Sequence, residues 1–145
     1  MSRREANAYA AGGVAETTYP DGLTVEYRYP ADGVTVLSLI GDCDLATVTL
    51  LRRALAYVVE DDPELLVVDL SSTTFIDSTG LRAVFAANVK RRRKQQDGLV
   101  LVTNAMTRRL FEIAGVDKTM SLASDMEAVV MPGGERGADE DGRDA

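Results

Sequence analysis

Histidine is absent from the 145 residues, and cysteine occurs once. Without histidine no Ser-His-Asp arrangement can form, and a lone thiol leaves no zinc constellation of His and Cys ligands. Cys43 has no partner for an internal disulfide, and its apolar neighbours place it inside a strand as a small buried group, which points to a reducing cytoplasm. No apolar run approaches signal-peptide or membrane-spanning length, so the chain is expected to be soluble, unexported and without a membrane partner. The G-x-x-x-x-G-K-[ST] and G-x-G-x-x-G patterns are missing too, and no cofactor or metal is expected.

Positive charge is also scarce. Sixteen Lys and Arg stand against 23 Asp and Glu, a net charge of −7 with a pI near 4.6. That balance argues against nucleic-acid binding, which requires a clustered excess of cations. The one basic cluster, "KRRRKQQ" at Lys90–Gln96, closes a helical pattern, where cations suit the negative end of the helix dipole.

What remains is a chain with 46% hydrophobic content, enough for one domain with a real core. Residues 1–18 are rich in Ala, Gly and polar groups, and residues 132–145 combine Pro, Gly and mainly acidic charge. Both are expected to be disordered tails around a domain at 19–131. Within it "LTVEYRY" (Leu23–Tyr29) alternates with period two, a "PADG" turn follows, and "VTVLSLIG" (Val34–Gly41) reads as an antiparallel partner. "DLATVTLLRRALAYVVE" places Val48, Leu51, Leu55 and Val58 on one helical face, with Asp44 or Thr47 as N-cap. "LLVVDLS" (Leu65–Ser71) is a continuous apolar strand buried on both faces.

A helix is expected from near Ser78, then a strand at "GLVLVT" (Gly98–Thr103). A third helix is capped by Asn104, buries Met106, Leu110 and Ile113, and stops at Gly115. After a short "TMSL" strand, an S-x-x-E capping box at Ser124 and Glu127 opens a last helix to about Met131. Alternating strands and about four helices predict an α/β domain with a small, mainly parallel sheet and one antiparallel N-terminal strand.

"TFIDSTGLRAV" (Thr74–Val84) therefore lies just beyond the carboxyl edge of that sheet, where open α/β sheets present functional groups. Ser78 or Thr79 can cap the helix, and Gly80 leaves its free N–H groups accessible. As a nucleophile Ser78 lacks a base: Lys90 and Lys94 lie three to four helical turns away, roughly 18–24 Å at 1.5 Å per residue. A lysine-assisted serine hydrolase is the remote alternative. A receiver-type phospho-aspartate site built on Asp69 with Asp42 and Asp44 lacks the lysine that would complete it.

"GDCDLATVTLLRRAL", "LLVVDLSSTTFIDSTGLRAV" and "LVLVTNAMTRRLFEIAGVDKTMSL" together resemble the anti-sigma factor antagonists, bacterial single-domain members of the STAS family, over about residues 21–130. Cys43 in a usually aliphatic slot, and the missing proline in "TVTLL", depart from the family pattern. The resemblance implies the STAS fold and a non-enzymatic protein. Its partners would be an anti-sigma factor serine/threonine kinase, which the unphosphorylated form binds to release a sigma factor, and a serine phosphatase. It implies phosphorylation at Ser78, with Thr79 the less favoured hydroxyl, as the event that switches binding off. Asp77, Ser78, Thr79, Gly80, Arg82, Asp42 and Asp44 are the expected partner-binding residues. A non-switching STAS scaffold subunit of a stress-signalling complex is the alternative within the same fold.

Overall fold

The computed structural model describes residues 14–18, 22–94 and 97–129. Among these residues seven strands form one sheet: β1 (Val14–Thr18), β2 (Leu23–Ala31), β3 (Val34–Cys43), β4 (Leu65–Asp69), β5 (Thr73–Ile76), β6 (Val100–Val102) and β7 (Ser121–Ala123). Their order is β1-β2-β3-β4-β6-β7, and β5 sits off this path, paired with β3. The β1–β2 and β2–β3 pairs are antiparallel; all others are parallel. The described residues form three α-helices, α1 (Val48–Glu60), α2 (Ser78–Arg93) and α3 (Ala105–Ala114), and 3-10 turns follow at Val116–Lys118 and Met126–Ala128. The mixed sheet with its antiparallel N-terminal end agrees with the sequence reading.

Period-two alternation sorts β3 between two cores. Leu37 and Leu39 join the larger cluster with Leu51, Leu55 and Val58 of α1, Val84 of α2 and Phe111 of α3. Val34 and Val36 point the other way, into a smaller cluster with Val67, Val102, Ala123 and Val129. Both clusters exclude water from apolar area at about 25 cal/mol per Å², so β3 is pinned in register from both faces. Gly33, with φ of 77°, makes the turn that reverses the chain between β2 and β3.

Four expectations need correction. Residues 14–18, placed in the N-terminal tail by composition, form β1, with Val14 opposite Arg28 and Thr18 opposite Thr24. Pairing of an edge strand rests on backbone hydrogen bonds, which composition does not register. The strand expected through Ser71 ends at Asp69, and the next four-residue strand, β5, was not anticipated. In α3 it is Thr107 and Phe111 that are buried, while Met106 and Ile113 are 36% and 71% exposed. The last helix is a single 3-10 turn among the described residues, and Asp125 rather than Ser124 caps it by accepting from the Ala128 amide at 3.0 Å. Residues 1–13 and 132–145 lie outside the described part of the chain.

Candidate functional site

β3 is longer than its neighbour β4, and its last residues need a different partner. Gly41–Cys43 take β5, with Asp42 opposite Phe75 and Cys43 opposite Ile76. The corner from β4 to β5 is held by side chains: Thr73 Oγ1 donates to the Leu39 carbonyl at 2.6 Å, and the Asp69 carboxylate accepts from the Ser71 amide at 2.9 Å. Asn104, at the start of α3, donates from Nδ2 to the carbonyls of Leu70, Ser71 and Thr73 at 3.3, 3.3 and 2.9 Å. Its Oδ1 simultaneously accepts from the Thr107 amide at 2.8 Å, so one side chain caps α3 and clamps the corner.

The chain leaves β5 into Asp77, not Ser78, as the N-cap of α2. Asp77 Oδ1 accepts from the amides of Thr79 and Gly80, each at 3.0 Å, and from the Thr79 hydroxyl at 2.6 Å. The Thr79 hydroxyl bond, then the Gly80 amide, hold the Asp77 carboxyl below its ordinary value; the amides of Thr79 and Leu45 add to this and burial opposes it. The Asp77 amide donates to the Cys43 carbonyl at 3.1 Å, joining the helix start to the end of β3.

Gly80 has a different reason from the expected one. Its amide already serves Asp77, and a Cβ there would lie 2.9 Å from both the Cys43 carbonyl oxygen and Ile76 Cγ1. Glycine lets α2 press onto the sheet end at this point.

These bonds leave Ser78 distinct. It is the first residue of α2, is exposed, and makes no side-chain hydrogen bond among the described residues, whereas the half-buried Thr79 has its hydroxyl committed. Arg82, four residues on, is exposed on the same side of the helix. Asp42 is exposed and accepts from the Thr74 hydroxyl at 2.6 Å. Asp44 shapes the loop before α1, its Oδ1 accepting from the amides of Ala46 and Thr47 at 3.0 and 3.2 Å; Thr47 is buried at the N-cap position with no side-chain capping bond. The three carboxylates Asp42, Asp44 and Asp77 surround Cys43, whose thiol is pushed up to about 12, first by burial and then by those charges.

The seven expected residues thus converge on one end of the sheet, with roles redistributed among them. Two neighbours escaped notice. Leu45 is 74% exposed beside Asp44, and Phe75 is 48% exposed opposite Asp42. An isolated leucine between an acid and "AT" is the only signal the sequence offers for the first. Asp69, weighed above as a phospho-acceptor, is buried and paired with Arg28 Nη2 at 3.4 Å. No helix among the described residues is long and apolar enough to cross a membrane.

Comparison with known proteins places this arrangement in context. The family described as STAS domain matches residues 29–129. The anti-sigma-F factor antagonist RsfB of Mycobacterium tuberculosis is 38% identical over 107 residues, covering 74% of this chain and 86% of the relative. Among solved structures, an anti-sigma factor antagonist from Mycobacterium paratuberculosis is 34% identical, with a TM-score of 0.66 over 77% of this chain and 93% of its own. The Bacillus cell fate determinant SpoIIAA in its phosphorylated form is 18% identical, with a TM-score of 0.54 over 72% of this chain and 95% of its own, a likeness of fold.

Proposed function

Since the chain belongs to the STAS domain family, we propose that it is a cytoplasmic anti-sigma factor antagonist whose activity is switched at Ser78. In this reading the unphosphorylated protein binds an anti-sigma factor that is a serine/threonine kinase and thereby releases a sigma factor. Transfer of the ATP γ-phosphoryl group to Ser78 Oγ ends the association, and a serine phosphatase restores it. The chain itself performs no catalysis.

One observation carries the assignment of the switch: Ser78 is exposed at the first position of α2 with no side-chain hydrogen bond among the described residues, while Asp77 has already taken Thr79. A kinase can reach such a hydroxyl without opening the fold. The added group brings about −1.5 to −2 charge. It meets a helix N-terminus whose Thr79 and Gly80 amides are already bonded to Asp77, so the phosphate finds few free donors there and lies beside a carboxylate. A partner surface shaped around a neutral hydroxyl and the exposed Leu45 and Phe75 would then have to bury an unpaired dianion, which is costly. Loss of affinity, not loss of fold, is the expected result.

Incubation with the cognate anti-sigma factor and Mg-ATP, followed by mass spectrometry, tests the assignment. A single phosphate mapped to Ser78, together with weaker calorimetric affinity for the kinase, is expected. Tight binding without any phosphate transfer would instead identify a non-switching scaffold subunit.

A further inference from the structure

At the other end of α2, the helix and the segment leading into β7 leave a cleft of about 630 Å³ between them. Volumes of this order suit small organic ligands. Phe85 and Val89 of α2 and Met120 of the facing segment supply its apolar part. Its rim is cationic: Arg92 and Arg93 come from the helix and Lys118 from the opposite wall. Among the described residues no carboxylate lines it and none of the three cations makes an ion pair. In a chain of net charge −7, three cations converging from two elements with no ion pair among the described residues form a local excess of positive charge.

The two walls are tied together. Asn88, buried at the back of the cleft, accepts from the Leu99 amide at 3.0 Å through Oδ1 and donates to the Thr119 carbonyl at 3.3 Å through Nδ2. Helix-dipole stabilisation accounts for cations in the last turn of α2, yet it does not account for Lys118, which belongs to another element. The partial negative charge of the helix end opposes an anion there, but it amounts to about half a charge against three full ones.

We propose that this cleft binds an organic anion with an apolar body and a phosphate, sulfonate or carboxylate head. The body packs on Phe85, Val89 and Met120, and the head takes charge-assisted hydrogen bonds from Arg92, Arg93 and Lys118. Ser78 and Arg92 are fourteen residues apart on one helix, roughly 21 Å at 1.5 Å per residue. The cleft is therefore separate from the Ser78 surface, and both can be occupied at once.

The test uses the full chain with 8-anilinonaphthalene-1-sulfonate as a fluorescent probe and decyl phosphate as competitor. We expect saturable binding at one site and displacement by decyl phosphate, with inorganic phosphate or decanol needing at least a hundredfold higher concentration. Arg92→Ser with Lys118→Ser should weaken probe binding at least tenfold with an unchanged circular dichroism spectrum. Val89→Gln, which leaves the cations in place, should also weaken it severalfold, and Ser78→Glu should leave it unaltered. Absence of saturable binding overturns the proposal. So does affinity within twofold of wild type in the folded cation variant, or displacement by decanol as readily as by decyl phosphate.

Discussion

The Asn104 side-chain nitrogen donates to the Thr73 carbonyl at 2.9 Å, tying the start of α3 to the strand that runs into Ser78. Asn104→Ala removes this bond, two longer ones to Leu70 and Ser71, and the α3 cap together. A cap is worth about 0.5–2 kcal/mol and each net hydrogen bond about 0.5–1.5 kcal/mol, so a loss of about 2–4 kcal/mol is expected in urea denaturation. A loss below about 0.5 kcal/mol would mean that the corner holds without this clamp.

Replacement of Ser78 separates stability from binding. Because Asp77 is the cap, Ser78→Ala should change unfolding free energy by no more than about 0.5 kcal/mol and retain partner affinity. Ser78→Glu should stay folded yet bind the anti-sigma factor about 30-fold to several thousand-fold more weakly, corresponding to about 2–5 kcal/mol for an unpaired interfacial charge. Titration calorimetry of the three proteins decides the matter, and equal affinities would sink the switch.

Phe75 and Leu45 offer exposed apolar area next to Ser78 at little cost to the free protein. Phe75→Ala and Leu45→Ala should each weaken anti-sigma factor binding about 5- to 30-fold, or about 1–2 kcal/mol, with thermal midpoints nearly unchanged. Wild-type affinity in both variants would place the contact surface elsewhere.

Asp77 makes stability depend on acid. Its folded carboxyl titrates below the ordinary 3.8, so its stabilising contribution is complete above that value and disappears as pH falls through the lowered one. The gap in unfolding free energy between wild type and Asp77→Ala should therefore narrow between about pH 5 and about pH 2. A gap that stays constant over that range would show that the carboxylate charge contributes nothing.

Cys43 should be chemically silent. With its thiol raised to about 12 and its side chain fully buried, thiol reagents near neutral pH should modify it only as fast as the domain unfolds. Rapid labelling of the folded protein would contradict that burial.

Much of this was legible from periodicity. Leu37 and Leu39 alternate as a strand must, and Val48, Leu51, Leu55 and Val58 recur at helical spacing, so the sheet and α1 follow directly. The place of Ser78 followed from strand, acid, hydroxyl and glycine in succession. β5 did not, because "TTFI" is too short to show a pattern and its partner is a distant overhang of β3. In α3 two overlapping stripes compete. Met106 and Ile113 are hydrophobic yet exposed, while Thr107 and Phe111 face inward with the half-buried Leu110 packed beside them, since the Thr107 hydroxyl is satisfied by donating to Asn104 Oδ1 at 3.0 Å. Pattern reading ranks side chains by polarity alone and misses a polar group whose bonds are made locally.

β5 hydrogen-bonds to a single strand, along only three residue pairs, with an irregularity between Gly41 and Asp42. Central strands such as β4 are clasped on both edges. Local opening free energy follows such tethering, so β5 is expected to open at lower cost than the doubly paired β4. Deuterium should enter the amides of Phe75 and Ile76 well before those of Val67 and Val68. The serine thus follows a strand paired on one edge only, and a kinase or phosphatase drawing it outward works against that local opening energy, not against the cohesion of the whole fold.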